Sequence, residues 1–224
     1  MELPQPKVGV NEVHETIRGC SGVTPDPITC LLQAEGTAWK LDGCRFLLSQ
    51  VISNDFEKRE QAYLAESAAG MLASVFDVLL HEVMHYYSLN ASFEPRDVRW
   101  SNKRFQGHLA RADSGLLELL SEARQAPWCR RAMGLRHYVT HHAGLLQHVT
   151  VQLPSGGQTY SMIGDKYFDQ NSDIDPPESF GAGYLDRPAL IDEITGYLGE
   201  MSCLVDRVRL HCFDHAPVFR AGRR

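Results

Sequence analysis

Between Phe56 and Leu89 the apolar residues Leu64, Ala68, Leu72, Val75, Phe76, Leu79, Val83 and Tyr87 recur at steps of three and four. That period is the turn of an α-helix with one face against a core. It is the strongest constraint in the chain, since one long helix of this kind needs other helices or a sheet to cover its stripe. Two further segments carry the same pattern. From about Asn102 to Ala126, Phe105, Leu109, Ala112, Leu116, Leu119, Leu120 and Ala123 share a face. Pro127 then suits the first turn of a third helix, where its missing N–H costs nothing, and Trp128, Ala132, Leu135, Val139 and Leu146 continue it to about Leu146.

An earlier helix spans about Ile28 to Ile52, where Gly36 and Gly43 are expected to weaken it and can split it. A last one runs from about Ala189 to Phe213, with Leu190, Ile194, Leu198, Met201, Val205 and Val208 on its apolar side. Before it the character changes. His148 to Leu153 alternates, Pro154-Ser155-Gly156-Gly157 is turn-forming, and Gln158 to Ile163 follows, which predicts a β-hairpin. Residues 165–186 read as a surface loop. The fold class predicted is all-α in the main: a bundle of four to five helices with a hairpin and loop insertion at about 147–187, before the last helix. Residues 28–224 form the single domain, and 1–27, rich in Pro and Gly, an irregular arm with a short element near Val13 to Arg18.

At 224 residues, 43% hydrophobic and 22% charged, the chain has ordinary globular proportions. Its start lacks the basic and apolar pattern of a signal peptide. The most apolar stretch, Met71 to Leu89, holds Asp77, His81, Glu82 and His85, which argue against a spanning helix. A cytoplasmic location is expected. The six cysteines are scattered without a C-x-x-C pair, so reduced thiols are expected and a thiolate metal site is not.

The net charge of −6 argues against a generic nucleic-acid binder. The charge is uneven, however. Between Glu94 and His142, nine cations (Arg96, Arg99, Lys103, Arg104, Arg111, Arg124, Arg130, Arg131 and Arg136) stand against five carboxylates. The segment is therefore +4 and the remainder −10. A local basic surface on an acidic protein suits a site for a particular phosphate. A solvated helix face with i,i+4 pairs accounts for many of the same arginines.

Two histidine constellations stand out. His81-Glu82-Val83-Met84-His85 matches H-E-x-x-H, the helical spacing that places two imidazoles on one zinc with the glutamate as general base. At 100° per residue His81 and His85 fall away from the apolar stripe, beside Asp77, Ser74 and Ser88. That suits a pair of ligands, and equally the polar face of a surface helix. No third histidine follows at compact spacing.

The second constellation is Arg136-His137-Tyr138-Val139-Thr140-His141-His142. Arginine grips phosphate in a fork, and histidine exchanges protons near neutral pH. Together they can cleave RNA without a metal or other cofactor. Arg136 and His141 lie about 140° apart on a regular helix, so one copy does not bring them together. The plainer reading pairs Arg136 with an acidic neighbour and leaves the histidines at the helix end, where cations are favoured.

The segment Arg136 to His141 resembles the R-φ-x-x-x-H motif of the HEPN superfamily, helical ribonuclease and nucleotide-binding domains. The helix "SVFDVLLHEVMHYYSL", a second helix and then the motif helix from Pro127 are similar in order to that family, over roughly Phe56 to Leu146. The resemblance implies a homodimer in which two motif helices face each other across a cleft. It implies that Arg136 binds the scissile phosphate, His141 transfers protons, and His137 helps to position them. His142 is an adjacent substitute for His141, and Asp77, with His81, Glu82 and His85, would line or rim the same site. Members are metal-independent endoribonucleases, often toxins or defence proteins, while others only bind nucleotides. RNA is then the expected substrate, and an antitoxin or inhibitor protein a further partner. The competing expectations are a non-catalytic accessory module and a zinc hydrolase built on His81, Glu82 and His85.

Overall fold

The computed structural model describes residues 3–17, 27–53, 58–89, 92–141, 147–153, 156–162 and 187–220. For 137–141, 147–153 and 156–162 the description is of backbone alone. The chain is mainly α-helical. Its helices are α1 (Val10–Ile17), α2 (Pro27–Ser53), α3 (Lys58–Tyr86), α4 (Lys103–Ala112), α5 (Ser114–Gln125), α6 (Pro127–His141), α7 (Arg187–His215) and α8 (Pro217–Arg220).

Helix α3 is the axis of the bundle, packed by α2, α6 and α7. Its stripe is nearly solvent-free: Ala68, Leu72, Val75, Phe76, Leu79 and Val83 are all buried. By length and composition Tyr63–Tyr86 is apolar enough to cross a membrane, and half of that window is covered by other helices. The covering explains the apolarity without a lipid phase, because a core helix buries more than one stripe.

Helix α2 is continuous through both glycines. A Cβ at Gly36 would touch Val78, and one at Gly43 would run into Met71 Sδ. Both glycines therefore face α3, and their missing side chains let the two backbones approach. The expected split came from weighing backbone entropy without this packing. The inner face of α2 carries Cys30, Ala34, Leu41, Cys44 and Leu48 against α3. Its outer face leaves Leu32, Trp39 and Phe46, each two turns from the next, 58%, 63% and 62% exposed.

The single helix expected over 102–126 is two helices. Asp113 leaves helical geometry (φ −159°) and caps the second, its Oδ1 accepting from Leu116 N–H at 2.9 Å. An aspartate at an N-cap satisfies an orphan backbone donor, which stabilises the break. Helix α3 ends at Tyr86, earlier than its pattern suggests, with Ser88 in the left-handed region (φ 57°).

The N-terminal segment is not a loose appendage. Val13 and Ile17 of α1 belong to the core, and Asp206 of α7 accepts from the backbone N–H groups of Lys7 and Val8 at 2.8 and 2.6 Å. Residues 142–146, 154–155 and 163–186, and with them His142 and the loop, lie outside the described residues.

Candidate functional site

The basic segment folds around a cleft of about 710 Å³ lined by α3, the turn before α4, the start of α4, the end of α5 and α6. Four cations line it, Arg99, Lys103, Arg124 and Arg130, against one carboxylate, Asp77. Among the described residues Arg99, Lys103 and Arg124 form no ion pair. Cations left without counter-charges around a concavity raise the local anion concentration, the more so where apolar walls focus the field.

The wall is anchored. Trp100 packs edge-on against Phe76 of α3, ring centroids 5.9 Å apart at 78°. Gln106 of α4 donates to the Trp100 carbonyl. Asn102 caps α4 by accepting from Arg104 and Phe105 N–H, and its own amide donates to the Asp97 carbonyl at 2.8 Å. The turn carrying Arg99 and Trp100 is thus tied at both ends, which places an aromatic face beside the cations. That combination suits nucleic acid, with bases stacking on rings and phosphates taken by cations.

Asp77 faces the cleft and also pairs with Arg136 of α6. Both side chains are about 40% exposed, so the pair sits at the rim. The plainer reading of Arg136, an acidic neighbour as partner, is the arrangement found. His137 and His141 continue α6, but their side chains, like the whole of His142, lie outside the described residues. The convergence of Arg136 with His141 is therefore not seen.

On α3, His81 follows Asp77 by one turn and His85 by two. Burial holds the His81 pKa below its ordinary value, against the pull of the Asp77 charge. Burial likewise lowers that of His85, helped by the charge of His81, and His85 Nδ1 is buried without a hydrogen-bond partner. Between them Glu82 points the other way, into the core. Its carboxylate accepts from Arg209 Nε at 2.8 Å, from an Arg209 terminal nitrogen at 3.1 Å and from the Tyr86 hydroxyl at 2.7 Å. A general base must reach a metal-bound water, and a solvent-free carboxylate gripped by three donors does not. The zinc-hydrolase expectation for His81, Glu82 and His85 falls on that geometry.

Comparison with protein-family models, with curated proteins and with solved structures yields no match. Sequence reasoning registered the charge excess but not which of the nine cations converge. The available signal was positional: Lys103 opens one helix and Arg124 closes the next, so a helical hairpin brings them to the same end. Arg131, by contrast, is consumed inside the protein, where it pairs with Glu193 of α7.

Proposed function

We propose that this chain is an HEPN-type helical module that binds RNA phosphates in the cleft of Arg99, Lys103, Arg124 and Arg130, in the cytoplasm. The observation that carries the reading is the gathering of these four cations and Trp100 around one cleft, which is also lined by Asp77 of the rim pair with Arg136. In the catalytic form of this reading, a homodimer brings Arg136 and His141 together from two copies of α6. Arg136 then stabilises the developing phosphate charge and His141, or its neighbour His142, moves the proton of the ribose 2′-hydroxyl, with His137 positioning them and no metal required. In this reading the hairpin expected at about 147–163 is an insertion between α6 and α7. An antitoxin or inhibitor protein would act by covering the cleft.

A non-catalytic binding module is the second reading, favoured by the ion pair that already engages Arg136. Incubating the untagged protein with single-stranded RNA in EDTA separates them. Cleavage lost in both Arg136→Ala and His141→Ala supports the nuclease. Tight binding without cleavage supports the module, and absence of binding removes both. Sedimentation bears on the dimer. The apolar stripe of Leu32, Trp39 and Phe46 offers area for a second chain to cover, whereas a composite site needs α6 at the interface. A dimer abolished by Trp39→Glu with cleavage intact would rule out the composite site.

A further inference from the structure

His211 and His215 stand four residues apart on α7, so their imidazoles project from one face a single turn apart. Opposite them is Asp113, at the break between α4 and α5. One ligand atom from each of the three lies within 4.8 Å of the other two. We propose that Asp113, His211 and His215 form a binding site for a borderline divalent transition ion, with Zn2+ as its reference ligand. The site shares no residue with the basic cleft, and the proposal stands independently of the RNA reading.

Several features suit this role. The carboxylate is held in place before any ion arrives. Asp113 Oδ1 accepts from Leu116 N–H, and Oδ2 accepts from the Tyr87 hydroxyl at 2.6 Å. His211 Nε2 lies 2.9 Å from that same Oδ2, a separation near that of two ligands sharing one ion. Gly115 leaves the space that the His211 ring fills, since a Cβ there would stand 3.3 Å from His211 Cε1. Arg220 donates towards His215 Nδ1 at 3.4 Å, a long, exposed contact that the ring gives up when it takes its proton on Nδ1 and presents Nε2 to the ion.

Two imidazoles and one carboxylate select zinc-like ions over Mg2+ or Ca2+, which prefer oxygen. Metal–ligand bonds of about 2.1 Å require the three atoms to draw together. His215, exposed at the end of α7, is the member with room to rotate inward. On binding, His211 takes the neutral tautomer with its proton on Nδ1, so that the Nε2 lone pair, released from its contact with Asp113 Oδ2, takes the metal. The remaining coordination positions face water. An ion here would clamp the α4–α5 junction to α7, with water or an added ligand completing its shell.

The test is calorimetric titration of untagged, chelator-stripped protein with ZnCl2, and separately with MgCl2. One Zn2+ per chain is expected, with an affinity that rises with pH because only neutral imidazoles ligate, and no Mg2+ binding at the same concentrations. His211→Ala and His215→Ala should each weaken Zn2+ binding at least about tenfold. His215→Ala removes an exposed ring, so its fold, checked by circular dichroism, is expected intact. His85→Ala, from the other i,i+4 histidine pair, should leave binding unchanged. Absence of Zn2+ binding, or binding lost in His85→Ala and retained in His215→Ala, would overturn the proposal.

Discussion

Arg209 of α7 grips Glu82 of α3 through two hydrogen bonds, 2.8 and 3.1 Å, where neither side chain meets solvent. Four of the five guanidinium N–H donors are engaged, since two more reach the carbonyls of Val8 at 2.7 Å and Ala34 at 3.0 Å. Truncating either partner strands the other charge in the core. Arg209→Met should destabilise the protein by about 3–5 kcal/mol, and the double variant Glu82→Leu/Arg209→Met by clearly less than the two single losses added. Urea unfolding measures both. Near-additive losses would mean that the two side chains do not act as a pair.

What was readable in the chain, and what was not, follows from the range of each interaction. The apolar periodicity of α3 and α7 is local, and both helices lie within a few residues of where it places them. The Asp113 break was hidden because Ala112 and Leu116 keep the helical spacing across it. Only the side-chain cap, a choice between two local hydrogen-bonding schemes, tips the backbone out of register. Glu82 is harder still. Its neighbours suggest a polar face, and its fate depends on an arginine 127 residues away. The same holds for the cleft, whose cations are brought together by the crossing of helices. Arg136 and Asp77 were both named as site residues from the sequence, but their contact with each other required the packing of α6 on α3.

The cleft cations make a quantitative claim about salt. If Arg99, Lys103, Arg124 and Arg130 each neutralise a phosphate, removing one reduces the slope of log affinity against log salt by about 0.7 for single-stranded RNA. Arg124→Ala and Lys103→Ala, followed by fluorescence anisotropy at several salt concentrations, should show this together with weaker binding across all sequences. Arg96→Ala, whose guanidinium pairs with Glu94, should leave the slope where it was.

Asp77 opposes any anion in the cleft and holds Arg136. Asp77→Asn removes the only carboxylate among the residues lining the cleft and releases the guanidinium, so RNA affinity should rise several-fold, on the order of 1 kcal/mol for an exposed charge. Weaker binding in this variant would count against the cleft as the site.

Stability should depend on pH through α3. His81 and His85 have folded pKa values below the ordinary 6.5, chiefly because burial penalises their charged forms. Above about pH 6.5 both states of the chain carry these rings neutral and their contribution is flat. As pH falls below that value the unfolded chain binds protons first, so stability is lost until the lowered folded values are passed. Thermal unfolding between pH 7.5 and 5 (a range set by about 6.5 for unperturbed His) should show the decline. His81→Gln and His85→Gln should each flatten it.

Ser88 holds a positive φ just beyond the end of α3, a conformation that costs a non-glycine residue about 1–2 kcal/mol. Ser88→Gly relieves that strain and loosens the unfolded chain at the same time. A net gain of roughly 0.5 kcal/mol is expected, measurable as a small rise in Tm. A loss would show that the Ser88 side chain contributes more than its backbone costs.

The stretch from Pro4 to Gly9 has no helix of its own, yet Asp206, Arg209 and Arg45 all hold its main chain. It therefore behaves as a built-in peptide ligand seated on the finished bundle. Clipping it away would take one acceptor from the buried Arg209 and strip Asp206 and Arg45 of their main-chain partners. Trimming the front of this protein should for that reason harm it far more than its unstructured look suggests, and a synthetic peptide of the same few residues should bind back to the shortened chain.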